Sequence, residues 1–147
     1  MARACSSRPT TMPTRLPYAR HKRPGENPKS CGSFTIPCRT SSPLATDTFF
    51  YLLTSRGEII CLRPEDGEVV WVHENENAFY ASAIMVGDRI YAVDKEGMVL
   101  IFKNTDTYEQ LAAISLGEGA VATPAFLDKR IYARTLNTLV SIGSYDG

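Results

Sequence analysis

The sequence predicts an all-β chain assembled from a repeated, four-stranded antiparallel unit. Three observations carry this. The phrase "VGDRIYAV" at 86–93 returns as "LDKRIYAR" at 127–134, 41 residues later. Short segments rich in β-branched and aromatic residues alternate with turn residues throughout the second half. No ten-residue window bounded by caps carries apolar residues at the helical period, so essentially no helix is expected.

The repeat sets the order of elements. "SSPLATDTFFYLLTSRGEIICLRPEDGEVVWV" starts at Ser41, and the related "ASAIMVGDRIYAVDKEGMVLIFKNTDTYEQLA" starts at Ala81. "ATPAFLDKRIYARTLNTLVSIG" follows from Ala122. In register, Ser42, Ser82 and Thr123 align, followed by Pro43, Ala83 and Pro124. Asp47, Gly87 and Asp128 occupy equivalent turns, and Tyr51, Tyr91 and Tyr132 close the next strand step. Gly57 pairs with Gly97, Asp66 with Asp106, and Trp71 with Leu111. A period in this range is the mark of a repeat architecture.

Within the first unit, "FFYLLT" (49–54), "EIICLR" (58–63), "EVVWVHE" (68–74) and "YASAIMV" (80–86) read as its four strands. "SRG", "PEDG" and "NENA" lie between them as turns. Asp66-Gly67 suits the positive φ of a tight hairpin. "FFYLL", "VVWV", "IYAV" and "VLIF" are apolar on both parities, which predicts strands covered on both faces. Four-stranded sheets packed face to face around an axis are the blades of a β-propeller. Two and a half units do not close a ring of the typical four to eight blades, so the expected body is open, with exposed strand edges that invite self-association.

Charge divides the chain. Residues 1–46 hold eight Lys/Arg against Glu26 alone (+7), and residues 47–147 hold eight against fifteen acids (−7). The first part also holds seven of the nine prolines, a spacing that forbids a long helix or a central strand. Residues 1–40 are therefore expected to be a disordered basic arm, 41–143 the repeat body and 144–147 a tail. The arm has no apolar run of signal-peptide length, and its prolines break the amphipathicity of a transit peptide. A phosphate-binding role for the arm is a further reading, but no basic–aromatic pattern accompanies the charge. No run approaches the length of a membrane-spanning helix.

Candidate chemistry is sparse, and no catalytic, cofactor-binding or metal residue is assigned. Cys5, Cys31 and Cys38 lie in the arm without zinc-knuckle spacing, and Cys61 sits in an apolar strand where a buried inert thiol is expected. "GEGAVA" at 117–122 fits a dinucleotide fingerprint through Gly117, Gly119 and Ala122, yet a strand start, "TPAFL", follows in place of a helix. Those glycines are read as a turn. His73 shares a strand face with Trp71 and is read as a partly covered edge residue, while His21 lies in the arm. Glu65-Asp66 and Glu74/Glu76 fall in turns, as a solvated acidic rim able to steer a basic partner.

The residues also carry a family resemblance. Gly57, Asp66-Gly67, Trp71 and Ser42-Pro43 in one unit, and Gly97, Asp106 and Thr123-Pro124 in the next, resemble the pyrroloquinoline-quinone-type (PQQ-like) β-propeller repeat over about 42–143. The resemblance marks Pro43, Tyr51, Gly57, Gly67, Trp71, Tyr91, Gly97, Pro124 and Tyr132 as structural repeat positions, and it implies that the tryptophan docks against the neighbouring blade. Thr107 replaces a turn glycine and Leu111 a second tryptophan, which suggests an atypical or terminal blade. The stretch is similar to the C-terminal part of a larger propeller. In quinoprotein dehydrogenases of this kind, quinone and calcium sit in a funnel lined by an aspartate base and often by adjacent cysteines. No residue here matches those roles. Non-catalytic members, such as the bacterial outer-membrane assembly lipoprotein, are the better match, although no lipoprotein leader is present. The expectation is a non-enzymatic protein-interaction module whose partner is another protein or the missing blades. The rival readings are a remnant of a quinone-dependent oxidoreductase and a basic-arm nucleic-acid binder. No compartment is assigned.

Overall fold

The computed structural model describes residues 41–143; the expected basic arm (1–40) and tail (144–147) lie outside the described residues. Eleven strands and no helix make up the described chain. The first sheet holds β1 (Leu44–Ala45), β2 (Phe50–Leu53), β3 (Glu58–Leu62) and β4 (Val69–Glu74). The second holds β5 (Ile84–Val86), β6 (Arg89–Val93), β7 (Met98–Lys103) and β8 (Gln110–Ser115). The third holds β9 (Ala125–Leu127), β10 (Arg130–Arg134) and β11 (Leu139–Gly143). Each sheet is an antiparallel meander in chain order. None closes into a ring: this is an open, partial β-propeller.

The division into blades differs from the expectation at one place. The segment 80–86 does not complete the first sheet. Only Ile84–Val86 is strand, and it opens the second sheet by pairing with β6. The turn explains the difference. Gly87, at φ 63°, folds β5 directly back on β6, whereas no tight turn joins β4 to β5. The innermost strand of the first blade is instead the two-residue β1, paired with β2.

The blades are held by alternate side chains. From β2 and β3, Tyr51, Leu53, Ile59 and Cys61 face the second blade and form one buried cluster with Ile90, Ala92, Leu100 and Phe102. All eight are under 5 % exposed. Burying a large apolar side chain contributes about 1.5–3 kcal/mol, so this junction dominates the stability of the described body. The second junction is thinner. Tyr91 packs on Phe126, with ring centroids 4.7 Å apart. A small apolar gap lies between Tyr91, Val93 and Ile101 on one side and Ile131, Ala133 and Ile142 on the other.

A bulge recurs at one position. The register shifts between Cys61 and Leu62 in the first sheet and between Ile101 and Phe102 in the second. Six residues separate Leu62 from its partner Val69, and seven separate Phe102 from Gln110. The extra residue moves the alignment by one. Trp71 lies opposite Cys61, and the residue opposite the equivalent Ile101 is Ala112, not Leu111.

Candidate functional site

The described chain presents three constructions at the blade junctions: a staple, a polar latch and a hydroxyl ladder. All of them join blades. The staple is Trp71. It lies among Tyr51, Phe102 and Tyr108, with centroids 5.8, 6.0 and 5.3 Å away. Its Nε1–H donates to the carbonyl oxygen of Thr105, in the second blade, at 3.1 Å. A half-buried indole gains this way both aromatic edge contacts and a partner for its only polar group. His73 stacks on Tyr108 at 3.7 Å and 12°. Burial lowers its pKa, as it raises that of Tyr108. This is the covered edge position expected for His73. Asn104, which no sequence motif marks, adds a polar junction: its Oδ1 accepts from Tyr51 Oη at 2.8 Å, and its Nδ2 donates to Thr48 Oγ1.

The latch occupies one repeat position, at Thr54, Asp94 and Thr135. These are the buried polar side chains of the described body. Each accepts an N–H three or four residues on, across its hairpin: Glu58 to Thr54 at 3.1 Å, Met98 to Asp94 at 2.9 Å, Thr138 to Thr135 at 2.9 Å. The hairpin is fixed locally in this way, as Asp and Thr side chains do in turns. At Asp94 and Thr135 the same side chains also reach across the junction. Asp94 Oδ2 accepts from Asn75 and Asn77 of the preceding loop, at 3.1 and 3.0 Å. Thr135 donates to Glu118 Oε1, and Asn137 donates to Glu118 Oε2 at 2.9 Å. These bonds hold the Glu118 carboxyl down to about 2.

The ladder runs along the innermost strands. Ser42 N–H donates to Ser82 Oγ, and Ser82 N–H donates to Thr123 Oγ1, both at 3.0 Å. The sequence aligned these three residues, but their bonding follows only from the distance between blades.

The repeat positions fall into place around these constructions. Tyr51 is fully buried between blades, and Tyr91 packs toward the third blade, as does the staple Trp71 toward the second. Tyr132 is half-buried on the equivalent face of the third. Gly57 and Gly97 have φ of 89° and 84° in equivalent hairpins, and Gly67 has 70° in the Asp-Gly hairpin. Pro43 is exposed and Pro124 buried, each just before an innermost strand. Gly117 and Gly119 lie in the loop before β9 with no helix after it. A Cβ on Gly119 would come within 2.8 Å of the Lys95 carbonyl, so this glycine admits a blade contact.

Chemistry of other kinds finds no assembled set. Cys61 is buried, and burial pushes its thiol up to about 11, the state of an inert side chain. Among the described residues no group of three His, Cys, Asp or Glu is placed to hold a metal ion, and no helix is long and apolar enough to cross a membrane. One rim of the body, where the loops 75–83 and 116–124 meet the β2–β3, β6–β7 and β10–β11 hairpins, exposes large apolar side chains among the charged Arg56, Glu76, Lys95 and Glu96. Tyr80 and Val121, at the same repeat position, are 55 % and 53 % exposed, and Leu136 beside them is 64 % exposed. Val121, Ala122, Arg134, Thr135 and Leu136 line a shallow groove there.

No protein-family model and no curated protein matches the chain. Among solved structures, the chain is similar to the propeller BamB from Moraxella catarrhalis, with a TM-score of 0.54 and 21 % sequence identity. The likeness covers 64 % of this chain and 30 % of that one, so the chain spans less than a third of its neighbour's length. At this identity the likeness concerns the fold, and it shows a β-propeller-like arrangement of the sheets.

Proposed function

We propose that the chain is a non-catalytic module of PQQ-like propeller repeats that serves as a protein-interaction scaffold, as a piece of a larger propeller. The observation that supports this most is the use of the polar groups. The buried latch residues are all engaged, Thr54 within its own hairpin and Asp94 and Thr135 also across blade junctions, and three large apolar side chains, Tyr80, Val121 and Leu136, stand exposed on the adjoining rim. Apolar residues at a repeated exposed position mark a surface made for contact. The likeness to BamB accords with this reading.

The test has two arms. A rim variant carrying Tyr80→Glu, Val121→Glu and Leu136→Glu keeps the melting temperature, since all three side chains are over half exposed. It loses the proteins that the unaltered chain retains in a matched capture from cells. Retention of the same proteins by the variant overturns the rim as the contact surface. In the second arm, pyrroloquinoline quinone with calcium is added to the purified chain. An unchanged melting temperature is expected, and a clear increase overturns the scaffold reading in favour of a quinoprotein remnant.

A further inference from the structure

The third blade breaks a rule that the other two keep. Two residues after the repeat tyrosine stand Leu53 in the first blade and Val93 in the second, both buried where the next blade packs. In the third blade that position is Arg134, which is exposed. Ala133 packs toward the second blade, so Arg134 lies on the opposite face of β10. Among the described residues its guanidinium has no ion pair and no hydrogen bond. The Glu118 carboxylate is taken by Thr135 and Asn137. Leu139, directly across from Arg134 in β11, and Leu136 are exposed beside it.

The hydroxyl ladder points to the same place. Ser42 and Ser82 each donate their N–H to a hydroxyl of the next blade. Thr123 N–H is the equivalent donor of the third blade, and it has no acceptor among the described residues. Ala122, which precedes Thr123, lines one shallow groove with Arg134 and Leu136. Two unpaired donors, one of them a cation, therefore meet at a groove with apolar walls. Charge follows the same division. Residues 122–143 hold Lys129, Arg130 and Arg134 against Asp128 alone, whereas residues 47–121 hold five bases against thirteen acids.

We propose that this face of the third blade holds an acidic segment of a partner protein. One carboxylate of the segment accepts from Arg134 and from Thr123 N–H, and its apolar side chains rest on Leu136 and Leu139. The inference rests on the scaffold reading and names the chemistry of what the scaffold takes. A guanidinium presents a fork of N–H donors that matches a carboxylate. The acidic remainder of the body repels such a segment, so the field favours its arrival at this blade. An apolar blade packed here, in the manner of the first junction, would bury the guanidinium unpaired.

The probe is a short end-blocked peptide that alternates Glu with Thr around a central Leu, with a twin carrying Gln at every Glu. Binding to the full chain is read by calorimetry, and the Thr123 amide by nuclear magnetic resonance. The glutamate peptide is expected to bind at least about tenfold tighter than its twin, the scale of a hydrogen bond to a charged group, and to shift the Thr123 amide. In Arg134→Gln, an exposed substitution that keeps the melting temperature, the two peptides bind alike. Equal binding of the two peptides by the unaltered chain overturns the proposal, and so does binding of neither. A glutamate preference that persists in Arg134→Gln, or an unmoved Thr123 amide, overturns it as well. Sedimentation of the chain alone supplies the last arm. Self-association that Arg134→Gln abolishes also overturns the proposal and assigns the face to a second copy. Failure of the peptide while the rim variant still loses its captured proteins leaves the scaffold reading standing; failure of both removes it.

Discussion

Asn77 Nδ2–H donates to Asp94 Oδ2 at 3.0 Å across the first blade junction, and the second junction repeats the bond with the roles exchanged. There the loop residue, Glu118, accepts, and the hairpin residue, Thr135, donates. The position is thus held by polarity of contact rather than by residue type. Asp94 is the most committed member, since its carboxylate also accepts from Asn75, Glu96 and Met98. Removing it leaves four donors without their acceptor. Asp94→Ala is expected to cost at least about 1–3 kcal/mol, the range for leaving a buried donor without its acceptor. Asp94→Thr keeps the hairpin bonds that Thr54 and Thr135 make and is expected to cost less than half as much. Urea unfolding of the three proteins checks the order; equal losses in the two variants would mean that the hairpin bonds contribute nothing and the junction bonds carry the whole effect.

Trp71 is the chain's one tryptophan, so its fluorescence reports the first junction alone. Trp71→Ala is expected to cost about 3–5 kcal/mol, as large-to-small changes at packed aromatic sites do. Phe102→Ala keeps the probe and removes its fully buried neighbour, 6.0 Å away. A red-shifted emission with a comparable loss of stability is expected. An unshifted emission would show that the indole does not depend on the second blade.

How much was legible follows from the range of the interactions. Strands, turns and blade period are local, and alternation, Asp66-Gly67 and the 40-residue repeat revealed them. Trp71 was legible because its type is unusual. The assignment of 80–86 to the wrong blade came from counting strands along the chain, when the turn at Gly87 decides which neighbour they pair with. Trp71 was matched to Leu111 because a one-residue difference between two loops is invisible until the register is known. The latch and the hub at Asn104 were missed for another reason. Asp94, Asn77 and Asn104 look like ordinary turn residues, and only the approach of two blades gives them partners.

Acid should loosen the body in two windows. Burial lowers the pKa of His73 below 6.5, so the unfolded chain binds the proton first. Its contribution is complete above pH 6.5 and is lost as pH falls through the lowered folded value. Glu118 is lowered from 4.5 to about 2, chiefly by the Thr135 hydrogen bond. Its contribution is complete above about pH 4.5 and is lost between there and pH 2. The melting temperature of His73→Phe is expected to lack the upper decline, and that of Glu118→Gln the lower one. A Glu118→Gln profile parallel to the unaltered protein down to pH 2 would exclude the carboxylate as the acid-sensitive group of the second junction.

Two glycines separate backbone strain from blade contact. Gly97 and Gly117 have the same φ, 84°, so an alanine at either place meets the same strain. Around Gly117 the space is open, and the cost of Gly117→Ala should be the conformational term alone, about 1–2 kcal/mol. At Gly97 the added Cβ would collide with the Glu118 carbonyl oxygen. That carbonyl belongs to backbone fixed on both sides, by Leu116 N–H on Gly97 O at 2.9 Å and by Ala120 N–H on Lys95 O at 3.2 Å. It has no room to retreat without opening these bonds. Gly97→Ala is therefore expected to cost at least about 2 kcal/mol more than Gly117→Ala, since the loop must give up a buried hydrogen bond as well. Hydrogen exchange adds a second readout. Protection of Leu116 and Ala120 should fall in Gly97→Ala and persist in Gly117→Ala, and equal protection in the two variants would show that the loop yields without loosening the junction.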